Sequence, residues 1–145
     1  MNSQGKKESL ALGYRESDIQ RAFFEFVNIQ AKTLANWRTI MATPNQGYKD
    51  SARWGAFRKA EGASAGFPDI SVLIARGGYH GLFIELKTAK GRLQDNQKEW
   101  LKNLNNAGYL ALCVFTNDVN DLILLVTDYI YLGKVDIKKN MKLFN

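Results

Sequence analysis

Gly66-Phe67-Pro68-Asp69-Ile70-Ser71-Val72 and, past a glycine-rich turn, Leu82-Phe83-Ile84-Glu85-Leu86-Lys87 decide how this chain folds. Residues 70–75 and 82–87 are short runs of strand formers. Between them stands Gly77-Gly78-Tyr79-His80-Gly81, so together they predict a hairpin. Asp69 follows Pro68, whose fixed φ favours extended backbone. Glu85 and Lys87 lie two apart on the second strand and therefore share a face, while Ile84 and Leu86 turn to the other and into the core. Pairing around the turn brings Asp69 opposite the Glu85–Lys87 end, where two carboxylates and an ammonium meet. Two carboxylates in one place repel, which favours a raised pKa or a bound divalent cation. A hard cation with carboxylate ligands and open water positions suits phosphodiester cleavage. A lysine beside it can orient or deprotonate the attacking water and contact the phosphate. Glu85 and Lys87 taken alone read better as a surface ion pair worth under about 1 kcal/mol; with Asp69 and the flanking glycines they favour catalysis.

Outward from the hairpin, the N-terminal side holds a helix opened by Ser17 and Gln20 as a capping box. Its apolar stripe is Ile19, Phe23, Phe26, Val27, Ile29 and Leu34. Residues 38–43 predict a short strand stopped by Pro44-Asn45-Gln46-Gly47. Residues 50–61 predict a short basic helix ending at Gly62, and 63–66 a small-residue loop. On the C-terminal side a helix from Asp95 presents Gln97, Trp100, Leu101 and Leu104 on one face and stops at Gly108. Residues 109–115 are a nearly continuous apolar run, as in a strand buried on both faces. Asn117 or Asp118 caps a last helix through Tyr129. The order helix, strand, helix, hairpin, helix, strand, helix argues for an α/β fold, a mixed sheet flanked by helices. The expected organisation is a flexible segment over 1–15, one domain over 16–132 and a basic tail over 133–145.

Composition narrows the classes. The 145 residues suit one compact domain, and 46% hydrophobic residues suffice for a core. A single cysteine, Cys113, excludes an intramolecular disulfide framework and a cysteine-clustered zinc site. It reads as a small buried hydrophobe. A single histidine, His80, argues against hydrolytic triads and reads as an exposed bystander or a weak DNA contact. No apolar run approaches the roughly 20 residues of a membrane helix, and the start is no secretory signal, so the expected setting is a reducing cytoplasm without membrane partners. The net charge is +6, unevenly spread: no Lys or Arg stands between Lys102 and Lys134. Basic residues cluster elsewhere, as a phosphate-backbone binder requires and as a merely soluble face also permits.

Gly66-Phe67-Pro68-Asp69 followed by Glu85-Leu86-Lys87 resembles the Pro-Asp…(Asp/Glu)-x-Lys signature of restriction-endonuclease-like nucleases. The flanks sharpen the likeness: Glu16-Ser-Asp-Ile-Gln20, Asn45-Gln-Gly47, Gly62 and Gly66, then Leu93-x3-Gln97-x2-Trp100-x3-Leu104-x3-Gly108. Over roughly residues 14–130 the chain is similar to the VRR-NUC (virus-type replication-repair nuclease) domain, in its stand-alone, phage-like members. The resemblance implies a restriction-endonuclease-like PD-(D/E)xK core and a Mg²⁺- or Mn²⁺-dependent DNA endonuclease with no small-molecule cofactor. It makes Asp69 and Glu85 metal ligands, with the Leu86 carbonyl a third. Lys87 becomes the catalytic lysine, Gln97 a residue at the site's edge and Glu16 a support for the metal site. Gln94 stands where the family often has Ser or Thr before the helix. Lys49, Arg53, Arg58, Lys59, Lys90 and Arg92 flank these positions as candidate DNA-binding residues. Tyr48 and Trp54 are candidates for stacking on bases or, for Trp54, for the core. By the same likeness the chain is expected to act as a homodimer on branched DNA, such as a four-way Holliday junction. The alternatives are a flap or replication-fork nuclease, a less selective DNase, an RNA-cleaving enzyme, and a non-catalytic DNA-binding module.

Overall fold

A computed structural model of the chain describes residues 15–44 and 52–145. In chain order they form α1 (Glu16–Ala31), a 3-10 turn (Ala35–Thr39), β1 (Ile40–Ala42), α2 (Ala52–Ala60), β2 (Ile70–Val72), β3 (Leu82–Lys87), α3 (Asp95–Asn106), β4 (Leu110–Phe115), α4 (Val119–Leu132) and β5 (Met141–Leu143). The strands make one five-stranded sheet in the order β1-β2-β3-β4-β5, with only the β3–β4 pair parallel. The architecture is the mixed sheet flanked by helices that the sequence pattern predicts.

Alternation along β3 and β4 sorts the core. Leu82, Ile84 and Leu86, with Leu110, Leu112 and Val114, pack with Ile19, Phe23 and Val27 of α1 and with Leu122, Val126 and Ile130 of α4. Phe83, Ala111 and Cys113 face the other way and pack with Leu101 and Leu104 of α3. Glu85 and Lys87 share this second face, and the helix that covers it stops short of them. That leaves polar side chains in strand positions otherwise taken by core residues.

Several boundaries differ from the sequence expectation, each for a local reason. The cap of α1 is Arg15, whose N–H donates to Asp18 Oδ2 at 3.3 Å, so Ser17 lies inside the helix. Leu34 lies past the helix end at Ala31, and it and Ile29, within the helix, are exposed rather than in the apolar stripe. Residues 38–43 divide between the 3-10 turn and β1. The expected strand over 70–75 stops at Val72: the Tyr129 hydroxyl takes the Ile74 carbonyl at 2.7 Å, and Arg76 Nε takes that of Ile130 at 2.9 Å. The hairpin turn is thereby tied to α4. A Cβ on Gly77, φ +58°, would lie 1.9 Å from the Gly133 carbonyl oxygen, so only glycine fits that contact.

The basic tail over 133–145 contains an element the sequence pattern does not suggest. β5 pairs antiparallel with β4, with Cys113 in register with Lys142. Asn140 Nδ2 donates to the Phe115 carbonyl, and Asn105 Nδ2 to that of Phe144, and these bonds pin both of its ends. No helix among the described residues is long and apolar enough to cross a membrane.

Candidate active site

The register of the β2–β3 hairpin builds the site. Ile70 stands opposite Ile84, so one residue further places Asp69 opposite Glu85, and two place Pro68 opposite Leu86. The odd residues of β3 bond to β4, as in Thr116 N–H to the Lys87 carbonyl at 2.8 Å, so the Leu86 amide and carbonyl turn towards β2. Proline has no N–H to offer that carbonyl. The Leu86 N–H instead donates to Asp69 Oδ2 at 2.8 Å. One residue pair thus fixes the Asp69 carboxylate and leaves a strand carbonyl without a ladder partner beside it.

Glu85 and Lys87 are buried, with 3% and 9% of their side chains exposed, and Lys87 Nζ lies 3.2 Å from Glu85 Oε1. Glu16, in the first turn of α1, brings its Oε1 to 3.9 Å from the same ammonium. Two carboxyl groups therefore flank one ammonium, and Asp69 feels its charge from further off. Burial, and after it the Asp69 carboxylate, pushes Glu85 up to about 8. Burial also raises Asp69, against the opposing pull of the Leu86 N–H and the Lys87 ammonium.

Its supports come from three other elements. Thr43, just past β1, donates its N–H to the Asp69 carbonyl at 2.8 Å and its hydroxyl to that of Pro68. Phe67 packs edge-on against Phe83 and Trp100, and Trp100 Nε1 donates to Ser64 Oγ at 3.2 Å. Gly66, φ +90°, lets the loop press on the start of α3, where a Cβ would come within 2.9 Å of the Asn96 backbone. Gln97 Oε1 accepts the Gln94 N–H at 2.9 Å, closing a capping box in place of the expected Ser or Thr. The result is an open cleft of about 680 Å³ lined by Glu16, Asp69, Glu85 and Gln97 together with Gln20, Arg21 and Thr43.

This geometry is accompanied by a family match. The model of the VRR-NUC domain matches residues 13–114, well over half of the chain. The chain belongs to the VRR-NUC family. A solved structure of a VRR_NUC domain protein is 28% identical to it, with a TM-score of 0.69 over 86% of this chain and 94% of that one. Comparison with curated proteins gives no match. The VRR-NUC domain is a nuclease domain.

Of the residues singled out in the VRR-NUC sequence, Asp69, Glu85, Leu86, Lys87, Gln97 and Glu16 converge. Glu16 stands inside α1, not before it. Arg58, Lys59, Lys90 and Arg92 do not line the cleft; Arg92 borders a second groove. Lys49, Tyr48 and the Asn45-Gln46-Gly47 segment lie outside the described residues, as do residues 1–14 and the side chains of Arg53 and Trp54. His80 is exposed against Tyr109, away from the cleft lining. Cys113 is buried, and desolvation pushes its thiol up to about 12. Sequence reading passed over Arg21 and Thr43, and gave Gln20 only a capping role. The four-residue spacing from Glu16 to Gln20 and from Ser17 to Arg21 was the available signal, since each pair shares a helix face.

The donor set suits a hard divalent cation. Among the described residues no group of three or more Asp, Glu, His or Cys stands ready as a metal cage. An ion here would take the Asp69 and Glu85 carboxylates, the Leu86 carbonyl and several waters, the mixture Mg²⁺ prefers and a soft metal does not.

Proposed function

We propose that this VRR-NUC protein is a metal-dependent DNA endonuclease that hydrolyses phosphodiester bonds at the Asp69–Glu85–Lys87 cleft. The observation that carries the reading is the convergence of the buried Glu85 carboxyl with the half-buried Asp69 and the more exposed Glu16 beside the Lys87 ammonium, a donor set that a Mg²⁺ or Mn²⁺ ion would complete. When bound by Asp69, Glu85 and the Leu86 carbonyl, such an ion supplies an acidic water and positive charge for the phosphorane. The remaining work falls to the chain. Lys87 Nζ, steered by Glu85 and Glu16, orients the attacking water through an N–H bond and faces the negative charge that develops on phosphate oxygen. The Leu86 N–H holds Asp69 Oδ2 and so orients the carboxylate that would ligate the ion. Gln97 offers its amide N–H groups at the rim. Arg21, on the wall formed by α1, supplies a cation for a neighbouring phosphate.

Lys87→Ala and Glu85→Ala should each lower Mn²⁺-dependent cleavage of a DNA panel by about 10²- to 10⁴-fold. Undiminished cutting by either variant refutes the mechanism, and binding without cutting by the parent chain turns it into a DNA-binding module.

The natural substrate in this reading is branched DNA, cut by a homodimer with two sites related by a two-fold axis. Support comes from α4, where Leu124, Tyr131 and Leu132 are exposed on a stretch with no Lys or Arg, a surface better suited to protein than to phosphate. Sedimentation at micromolar concentration should give twice the chain mass, and cleavage of a four-way junction should exceed that of linear duplex. A monomer without that preference leaves the flap or non-selective nuclease.

A further inference from the structure

We infer that the face of the sheet beside the active site carries a second nucleic-acid contact, a groove that grips the phosphate backbone with Arg92, Lys98 and Lys142; this rests on the nuclease reading for its orientation, not for its chemistry. The three cations come from the turn before α3, from α3 itself and from β5, and they meet around a groove of about 520 Å³ walled by Leu93, Phe115 and Phe144. No Asp or Glu lines it. Asp95 reaches Lys98 from outside at 3.3 Å, but that pair is solvated, with Asp95 fully exposed, and phosphate can replace the carboxylate at little cost.

Position makes the groove more than a basic patch. Strand register runs Glu85, Cys113, Lys142 in one row across β3, β4 and β5, and Asp69 extends the row on the other side. Alternate residues share a face, so Lys142 rises on the same face as the carboxyl pair. It stands two strand spacings away, about 10 Å. That distance equals the axial rise of roughly three base pairs of a duplex. Lys142 Nζ sits 5.4 Å over the Phe115 ring, and Phe115 is the register partner of Lys87, so the aromatic floor holds the cation next to the cleft. A strand whose scissile phosphate lies at Lys87 runs naturally into this groove. Lys142 and Phe144 stand beyond residues 13–114, so the groove joins the family-matched core to the C-terminal strand outside it.

The test is the salt dependence of binding by the whole chain in EDTA, where no cutting occurs. Binding of a fluorescein-labelled 30-base-pair duplex is followed by anisotropy for the parent protein and for a combined Arg92→Gln, Lys98→Gln, Lys142→Gln variant. All three side chains are exposed, and circular dichroism checks the fold. The plot of log affinity against log salt should lose roughly two to three from its slope, near one per phosphate contact removed. A control that removes equal charge elsewhere, Lys32→Gln, Lys134→Gln, Lys138→Gln, should lose less than half of that. An unchanged slope in the first variant, or equal losses in both, overturns the groove. So does polyglutamate displacing the labelled duplex as well as unlabelled DNA of equal charge, which would point to an acidic protein partner. Cleavage by the parent chain with Mn²⁺ is scored separately: no cutting with a lowered slope fells the nuclease reading and keeps the groove, and cutting with an unchanged slope does the reverse.

Discussion

Glu85 shows how a single buried side chain links folding to protonation. Its carboxyl is pushed up to about 8 by burial and by Asp69, whereas in the unfolded chain it titrates near the ordinary glutamate value. The folded state therefore holds a proton that the unfolded state releases. Stability is full below the unfolded value and is lost as pH rises through the window up to about 8. In EDTA the melting temperature should fall across that window. Added Mg²⁺ or Mn²⁺ should remove most of the fall, because a cation favours the ionised carboxylate. Glu85→Gln should flatten the metal-free profile. Thermal melts from pH 5 to pH 8.5 check this, and a flat profile for the parent protein would mean that Lys87 alone neutralises the pair.

At the scale of elements, α3 performs two tasks with one residue. Gln97 closes its capping box through Oε1 while lining the cleft. Glutamate at this position keeps the accepting oxygen and replaces the donating amide with negative charge. Gln97→Glu should therefore leave the melting temperature nearly unchanged and cut cleavage by about tenfold or more, the worth of one hydrogen bond to phosphate. Full activity in that variant would reduce Gln97 to a helix cap. The element level is also where the limits of sequence reading are plainest. β3, β4, α3 and α4 are long enough for their periodicity to speak, and Pro68-Asp69 with Glu85-x-Lys87, weak alone, points to a site through its likeness, with its flanks, to a nuclease signature. Met141-Lys142-Leu143 is too short for any alternation, and only pairing with β4 makes it a strand. The early end of β2 depends on Tyr129 and Arg76, remote contacts that no local pattern encodes. The cap at Arg15 was hidden for a different reason: Asp18 accepts from the backbone of Arg15, so the identity of the capping residue is irrelevant.

For the molecule as a whole, β5 closes the sheet. It buries Met141 and shields the edge of β4, and Asn140 and Asn105 bond across it to the Phe115 and Phe144 carbonyls. A chain truncated after Gly133 should be destabilised by about 2 kcal/mol or more, from the lost Met141 burial together with the carbonyls and N–H groups left unpaired along β4. Chemical denaturation of the truncated and full chains measures this, and equal midpoints would mean that β5 is only loosely attached. The same truncation removes Lys142, so its effect on DNA binding is informative only once the folded fraction is known.

The unmatched carbonyl at Leu86 has a wider meaning. An N–H at residue 68 would give that carbonyl a partner and add one bond between β2 and β3. Proline halts the zipper one rung early, beside the Asp69 and Glu85 carboxyl groups. Any replacement that finishes the rung consumes the carbonyl oxygen, so under the metal-dependent reading proposed above the gain in rigidity and the loss of a coordination point would be one and the same event.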